Sequence, residues 1–242
     1  MPENIFFKPL KNWDNKTWLS SSRYIQSFNN FLIKQTKLTK NSKIIDIGCG
    51  RGKILGHLFS KLKLKIKPIG IDLERHNDRD KRINFKKIDA VKFFKKNDGT
   101  FDLILIKQTI HLLKIPQIKK LLIFCKSRLN KNGKIIILTL DPYQNEIPTF
   151  FLMKKHFVNA FVRDRKIIKY ISKLYSKRII KKFIFDVQIS KKKYLEMVKN
   201  RYISTLLKCS SKEISEGVEE IKLKYNKTLK FEDKLKCIII KK

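Results

Sequence analysis

Apolar residues at Tyr24, Ile25, Phe28, Phe31 and Leu32 recur at the interval of one helix face, so a helix is predicted over residues 18–36, with serines at 20–22 suited to its start. From residue 43 the period changes. Short β-rich apolar runs at 43–47, 67–71, 83–88, 101–106 and 134–140 predict five strands, and helix-period stretches near 53–62, 90–96 and 116–129 fit between them. Strand and helix alternating in this way imply right-handed crossovers and a parallel sheet covered on both faces, the doubly wound α/β class. Asn97-Asp98-Gly99 and Lys131-Asn132-Gly133 are turn signals ahead of the fourth and fifth strands. After Pro142 the rhythm shifts: two helical stretches over about 149–180, a strand at 183–189, helices at 191–207 and 212–225, and a last strand at 235–240. Seven strands are expected, in one domain made of a helical cap (1–40), a core (41–141), a helical lid (142–182) and a C-terminal part that completes the sheet (183–242).

The longest uninterrupted apolar runs, such as residues 121–125, fall far short of the roughly 20 residues of a membrane helix. The first residues carry no apolar core after a basic start, so a secretory signal is not expected. Cysteines at 49, 125, 209 and 237 have no C-x-x-C spacing, which argues against a disulfide framework and a zinc site and suggests a reducing cytoplasm. The N-x-T triplets at Asn15 and Asn226 then carry no glycosylation meaning.

A net charge of +36 raises nucleic acid as a partner. Composition weakens that reading, because 47 of the 57 basic side chains are Lys and 10 are Arg, alongside 35 Ile, 15 Asn and 2 Ala, a bias toward residues with A/T-rich codons. Residues 1–141 are net +20 and residues 142–242 net +16, so neither half owns the charge. Much of it is read as solvated background, with a share left for steering an anionic partner. Residues 149–182 stand out with 11 basic residues against Asp164 alone, and Ile167, Ile168, Ile171, Leu174 and Tyr175 oppose Lys166, Lys169, Lys173 and Lys177 on an amphipathic helix.

The sharpest local signal is Asp46-Ile47-Gly48-Cys49-Gly50-Arg51-Gly52, where the first strand becomes a helix. Glycines there permit unusual backbone angles and close approach of a ligand to the main chain. Twenty residues after Gly52 comes Asp72, at the end of the second strand, where a carboxylate can accept from both ribose hydroxyls of a nucleoside. The dinucleotide pattern G-x-G-x-x-G would need glycine at 53, which is Lys53. The segment instead resembles motif I, D-x-G-x-G-x-G, of the class I S-adenosylmethionine-dependent methyltransferases. Lys87-Ile88-Asp89-Ala90, Phe101-Asp102-Leu103-Ile104, Ile110-His111-Leu112-Leu113 and Leu129-Asn130-Lys131-Asn132-Gly133-Lys134 resemble later motifs of that family, in its order, over about residues 40–141.

The resemblance implies S-adenosylmethionine as cofactor, with Gly48, Cys49, Gly50 and Gly52 under its methionine part. It implies Asp46 orienting the loop and the ammonium, Asp72 on the ribose, Asp89 on the adenine amine, Leu73 and Ala90 against the base, and Ile106 and Lys107 nearest the methyl group. Two departures stand out: only about ten residues separate the second and third strands, so the usual helix there is short or missing, and Lys107 replaces a small polar residue. The sulfonium methyl is already activated, so placement of the acceptor dominates and a catalytic base is optional. His111 is the best candidate base, with an internally hydrogen-bonded histidine as the alternative. His57 and His156 are weaker, and His76 is expected in a solvated loop. Tyr143 is a candidate for the acceptor pocket, and Trp13, Trp18 and Tyr24 for its far wall or for core packing.

Asp141-Pro142-Tyr143 follows the fifth strand rather than the fourth and lacks a second proline, and no Pro-Cys pair is present, so base methylation loses its main signatures. The expected reaction is methylation of a small molecule, with an anionic acceptor held by the basic lid face as its finer form. An RNA or protein methyltransferase and a non-catalytic cofactor-binding protein remain as alternatives.

Overall fold

In the computed structural model, residues 17–242 are described. Helix α1 (Ser22–Gln35) leads, with Ser21 accepting from Tyr24 N as its N-cap. Then β1 (Ile44–Ile47), α2 (Lys53–Leu62), β2 (Ile69–Asp72), β3 (Asn84–Lys87), α3 (Ala90–Lys96), β4 (Phe101–Lys107), α4 (Ile115–Ser127) and β5 (Leu129–Leu140) follow, as the alternating periods predict. They are completed by α5 (Phe151–Leu174), β6 (Arg178–Ser190), α6 (Lys191–Lys199), α7 (Ser211–Lys224) and β7 (Thr228–Lys241). The seven strands form one sheet in the order β3-β2-β1-β4-β5-β7-β6. The first five are parallel, and β7 runs antiparallel to both β5 and β6.

Inward and outward phases of the strands divide the interior in two. Ile44, Leu105, Leu138, Leu235 and Phe183 join a core with α1, α2, α6 and α7, while Ile45, Ile104, Ile137 and Ile238 face α3, α4 and the second half of α5. The central strands β1, β4 and β5 are thus buried on both faces, which explains their unbroken isoleucine and leucine runs.

Four boundaries differ from the sequence reading. Strand β5 starts at Leu129 instead of 134 and takes in Lys131-Asn132-Gly133, read above as a turn, with a register shift against β4 between Phe101 and Leu103. Helix α5 is one 24-residue helix instead of two, because Asp164 falls on its buried stripe and breaks the apolar pattern without breaking the helix. Its first half contributes Met153 and Phe157 to one core and its second half Ile167, Ile168 and Ile171 to the other. The 191–207 helix ends at Lys199, and a 3-10 turn covers Ser204–Lys208. Strands β6 and β7 are also far longer than expected: β7 pairs with β5 only up to Leu235, and from there the β6–β7 ribbon projects past the carboxyl ends of the parallel strands. Its inward residues Phe185, Val187, Leu229 and Phe231, with α6 and α7 inserted between the two strands, extend the core above that edge.

Candidate active site at the carboxyl edge of the sheet

The glycine loop leaves β1 at the carboxyl edge with φ of +74° at Gly48, +53° at Gly50 and +69° at Gly52, the left-handed region that glycine enters without penalty. Gly48 N and Cys49 N donate to Ile71 O at 2.8 and 3.1 Å, which lays the loop against β2. A Cβ on Gly48 would collide with Thr109 Oγ1, whereas one on Gly50 would meet nothing within 4 Å. The loop is therefore clamped at its start and open at its middle. Asp72 Oδ2 accepts from Gly50 N at 2.8 Å and Oδ1 from Glu74 N at 3.0 Å. A carboxylate offers about four lone-pair positions, so acceptor capacity remains. Leu73 beside it is 58% exposed, which leaves an apolar side chain uncovered at this edge. Asp89 spends Oδ1 on capping α3, at 2.9 Å from Lys92 N, and Ala90 opens that helix.

No helix occupies residues 73–83, as the short spacing predicts. Ion pairs fasten the segment instead: buried Arg51 Nε reaches both oxygens of Asp78 at 2.8 Å, and Arg82 Nη2 reaches Asp80 at 2.7 Å. Both carboxyls are held below the usual range against the opposing effect of burial. His76 corrects its expected place. It is buried, because this pinned loop folds over it rather than standing in solvent.

On the α1 side of the sheet, three charged residues occupy the phase that is apolar one layer below. Asp46 of β1, Lys107 of β4 and Asp233 of β7 stand in line with Ile44, Leu105 and Leu235. Burial is the main cause that pushes the Asp46 carboxyl up to about 7, opposed by Lys107 and reinforced by Asp72. Burial likewise brings the Lys107 ammonium down to about 8, against the pull of Asp233 and Asp46. Lys107 Nζ donates to Gln108 Oε1 at 3.0 Å and lies 5.3 and 5.4 Å from the ring centres of Tyr24 and Phe28. Asp233, also raised by burial, accepts from Trp18 Nε1 at 3.0 Å. Asp46 Oδ1 and Tyr24 Oη are buried with no hydrogen-bond partner among the described residues. Unpaired buried polar atoms of this kind are costly, and they point to a ligand's polar groups.

Sequence reasoning missed Asp233 and Thr109, and saw Tyr24 only as wall or packing. The signal for Asp233 lay in β7 itself, where it takes the inward phase between Phe231 and Leu235.

The other predicted residues scatter. Ile106 turns into the opposite core. His111 lies on that same face, with Thr139, Asp164 and Ile168, and is held neutral, near 4, by burial and then by Arg163. Tyr143 is 59% exposed at the carboxyl edge, with Lys236 Nζ at 4.6 Å and the Arg165 guanidinium at 5.8 Å from its ring centre. His57 bonds Asn29 at 2.9 Å and His156 the Thr205 carbonyl at 3.2 Å, both away from the glycine loop. Trp18 packs edge-on against Tyr202 and Phe231 at 5.4 and 5.2 Å, and Trp13 lies outside the described residues. Lys166, Lys169, Lys173 and Lys177 are exposed, but α5 and the chain after it run down to the start of β6, which pairs beside the amino end of β5. Lys173 and Lys177 are thus at the wrong end of the sheet to hold an acceptor, whereas Lys166 follows Arg165, which donates to Pro142 O at 3.3 Å at the carboxyl edge. All four cysteines are free, no metal-binding group of His, Cys, Asp and Glu occurs among the described residues, and no described helix is long and apolar enough to cross a membrane.

This sheet order, with β7 antiparallel and a glycine loop after β1, is the architecture of class I methyltransferases. The chain belongs to the methyltransferase domain family, whose model matches residues 38–201, and it is an S-adenosylmethionine-dependent methyltransferase domain. Among solved structures it is similar to the plantazolicin methyltransferase BpumL in complex with a monoazolic desmethylPZN analog and SAH, with 18% identity, TM-score 0.53, and 95% of this chain and 87% of that one covered. It is also similar to a putative methyltransferase from an antibiotic biosynthesis pathway of Anabaena variabilis, with 15% identity, TM-score 0.59 and coverage of 87% and 95%. A third is a SAM-dependent methyltransferase from Archaeoglobus fulgidus, with 20% identity, TM-score 0.52 and coverage of 90% and 94%. No curated protein sequence matches the chain.

Proposed function

We propose that this protein methylates a small-molecule acceptor, as one methyltransferase unit in which α1 caps the core and the 142–182 segment and β6–β7 insertion wall the acceptor side. The observation that carries the reading is the polar row under α1. It is bordered by Trp18, Tyr24, Phe28 and the projecting β6–β7 ribbon, and polar groups set among such side chains are more accessible to a compact acceptor than to a polymer. The names of the BpumL and Anabaena structures, one bound to desmethylPZN analogs and one assigned to antibiotic biosynthesis, agree with that class.

The residues present fit the cofactor. The open middle of the glycine loop takes its main chain contact, Asp72 the ribose hydroxyls, and Leu73, Asp89 and Ala90 the adenine. Asp46 Oδ1, unpaired, suits the methionine ammonium, and Tyr24 Oη, unpaired, suits the carboxylate. S-adenosylmethionine supplies a methyl group on a sulfonium, already activated for in-line displacement. The chain's own task is to exclude water, hold the acceptor in line and, for a hydroxyl or amine acceptor, take a proton. His111 is poorly matched to that last step, since burial and Arg163 oppose its protonation and it lies on the other sheet face. Lys107 is better matched: near 8, a fraction of neutral amine is present at physiological pH. Tyr143 stands at the mouth of the site as an acceptor contact.

The test is calorimetric titration with S-adenosylmethionine and S-adenosylhomocysteine, with NADH as control, followed by labelled methyl transfer in fractionated cell extract. Micromolar binding of the first two, with label in the low-molecular-weight fraction, is the expected result. Label confined to RNA or protein would replace the acceptor class, and binding without any transfer would leave a cofactor-binding protein.

A further inference from the structure

The missing crossover helix between β2 and β3 leaves part of the sheet face uncovered, and a cavity of about 310 Å³ opens there. It is lined by Arg75, Arg79, Lys81, Lys87, Phe85 and Asp80, among others. Its cations are not explained by composition. Lysine is the default basic residue of this chain, at 47 to 10, yet three of its ten arginines, Arg75, Arg79 and Arg82, fall within eight residues. The loop's acids are already neutralised: Asp80 is bound through two oxygens by Arg82, and Asp78 by buried Arg51. Asp80 is further wedged against α2, where a Cβ on Gly56 would strike its carboxyl group. These pairs fix the loop and leave Arg75 and Arg79 without an acidic partner among the described residues, facing the cavity. The Arg79 guanidinium lies 5.9 Å from the ring centre of half-buried Phe85. Two guanidiniums on a pinned loop with no acidic partner suit a phosphate, and a ring beside a guanidinium is the kind of platform on which a nucleobase stacks.

We propose that this cavity is a second binding site, separate from the methyl-transfer centre, for a phosphate-bearing nucleotide unit. Its volume sits at the lower end of the range for ligand pockets. It lies on β3, three strands from Lys107 on β4, about 14 Å at the usual strand spacing, while Ile83 of its lining stands against Gly52 of the glycine loop, so its occupant sits beside the cofactor loop and clear of Lys107. The cofactor carries no phosphate, so its binding does not account for the guanidiniums.

The experiment uses a fluorescent single-stranded oligouridylate as probe in anisotropy titrations, with AMP and orthophosphate as competitors. The Arg75→Gln/Arg79→Gln protein is compared with Lys169→Gln/Lys173→Gln, which removes the same charge at the far end of the molecule. Titration of each variant with S-adenosylhomocysteine reports folding and the cofactor site independently. The arginine pair is expected to lose roughly tenfold or more in oligonucleotide affinity and to flatten its salt slope by about 1.4, two phosphates at ~0.7 each. The lysine pair is expected to stay within about twofold. AMP should compete better than orthophosphate, and Phe85→Leu should weaken AMP about fivefold or more while sparing orthophosphate. Competition by AMP at concentrations close to those of the strand points to a free nucleotide as the occupant, and a much stronger strand points to a nucleic acid; either supports the site. An equal loss in both double variants, an unchanged slope in the arginine pair, or equal competition by AMP and orthophosphate would overturn it.

Discussion

Asp72 and Asp46 are both carboxylates at the carboxyl edge, and their surroundings give them different work. Asp72 accepts from two backbone amides, at Gly50 and Glu74, so it shapes the loop and keeps acceptor capacity for a ligand. Replacing it with Ala removes charge-assisted hydrogen bonds worth about 1.5–3 kcal/mol each. Asp72→Ala is expected to weaken S-adenosylhomocysteine binding by about 10- to 100-fold in calorimetry, with circular dichroism unchanged. Asp46 is held near 7 by burial, an acid raised above its unfolded value. Its contribution to folding is therefore fully present below the unfolded pKa and is lost as pH rises through about 7, where the buried group is forced to ionise. A cofactor ammonium reverses this preference by pairing with the carboxylate. Binding at pH 7 should then release about half a proton, more at pH 6 and almost none at pH 8.5. Calorimetry in buffers of different ionisation enthalpy reads that number, and Asp46→Asn should abolish it. Release that does not vary over this range would remove Asp46 from the methionine end.

At the scale of elements, what was legible in the sequence was local. The turn from β1 through Gly48, Gly50 and Gly52 into α2 could be read because three positive φ values need three glycines. The short β2–β3 spacing likewise gave the missing helix. What failed depended on distant partners: Lys107 and Asp233 are 126 positions apart and come close only because β7 pairs with β5, one strand removed from β4. The length of β6 was hidden by lysines at 181 and 182, which mask its alternation, and the unity of α5 by Asp164. The same helix separates packing from charge. Ile171 is fully buried in the second core, so Ile171→Ala is expected to cost about 2–5 kcal/mol in urea unfolding. Lys169→Gln and Lys173→Gln, two residues away on either side, should each stay within about 0.5 kcal/mol. Comparable losses from all three would mean that the basic face is seated on a surface rather than solvated.

For the whole molecule, charge rather than core size sets the response to conditions. With 57 basic and 21 acidic side chains, at least 36 cations have no acid to pair with, whatever geometry the surface takes. Such an excess disfavours the compact state by self-repulsion, and salt relieves it, because the screening length falls from about 30 Å at 0.01 M to about 10 Å at 0.1 M. Surface ion pairs respond in the opposite sense, but each contributes at most about 1 kcal/mol, and Arg51–Asp78 and Arg82–Asp80 are local. Repulsion should therefore win: the melting temperature is expected to rise by several degrees between about 0.01 and 0.3 M sodium chloride, at ~2–4 °C per kcal/mol for a chain of this size. Oligonucleotide affinity should fall over the same range. The two trends together separate the roles of charge, since a melting temperature that fell with salt would place the dominant electrostatic contribution in fixed ion pairs. In that case the lysine-rich surface would be a structural network, and its high net charge would no longer be a general cost to folding.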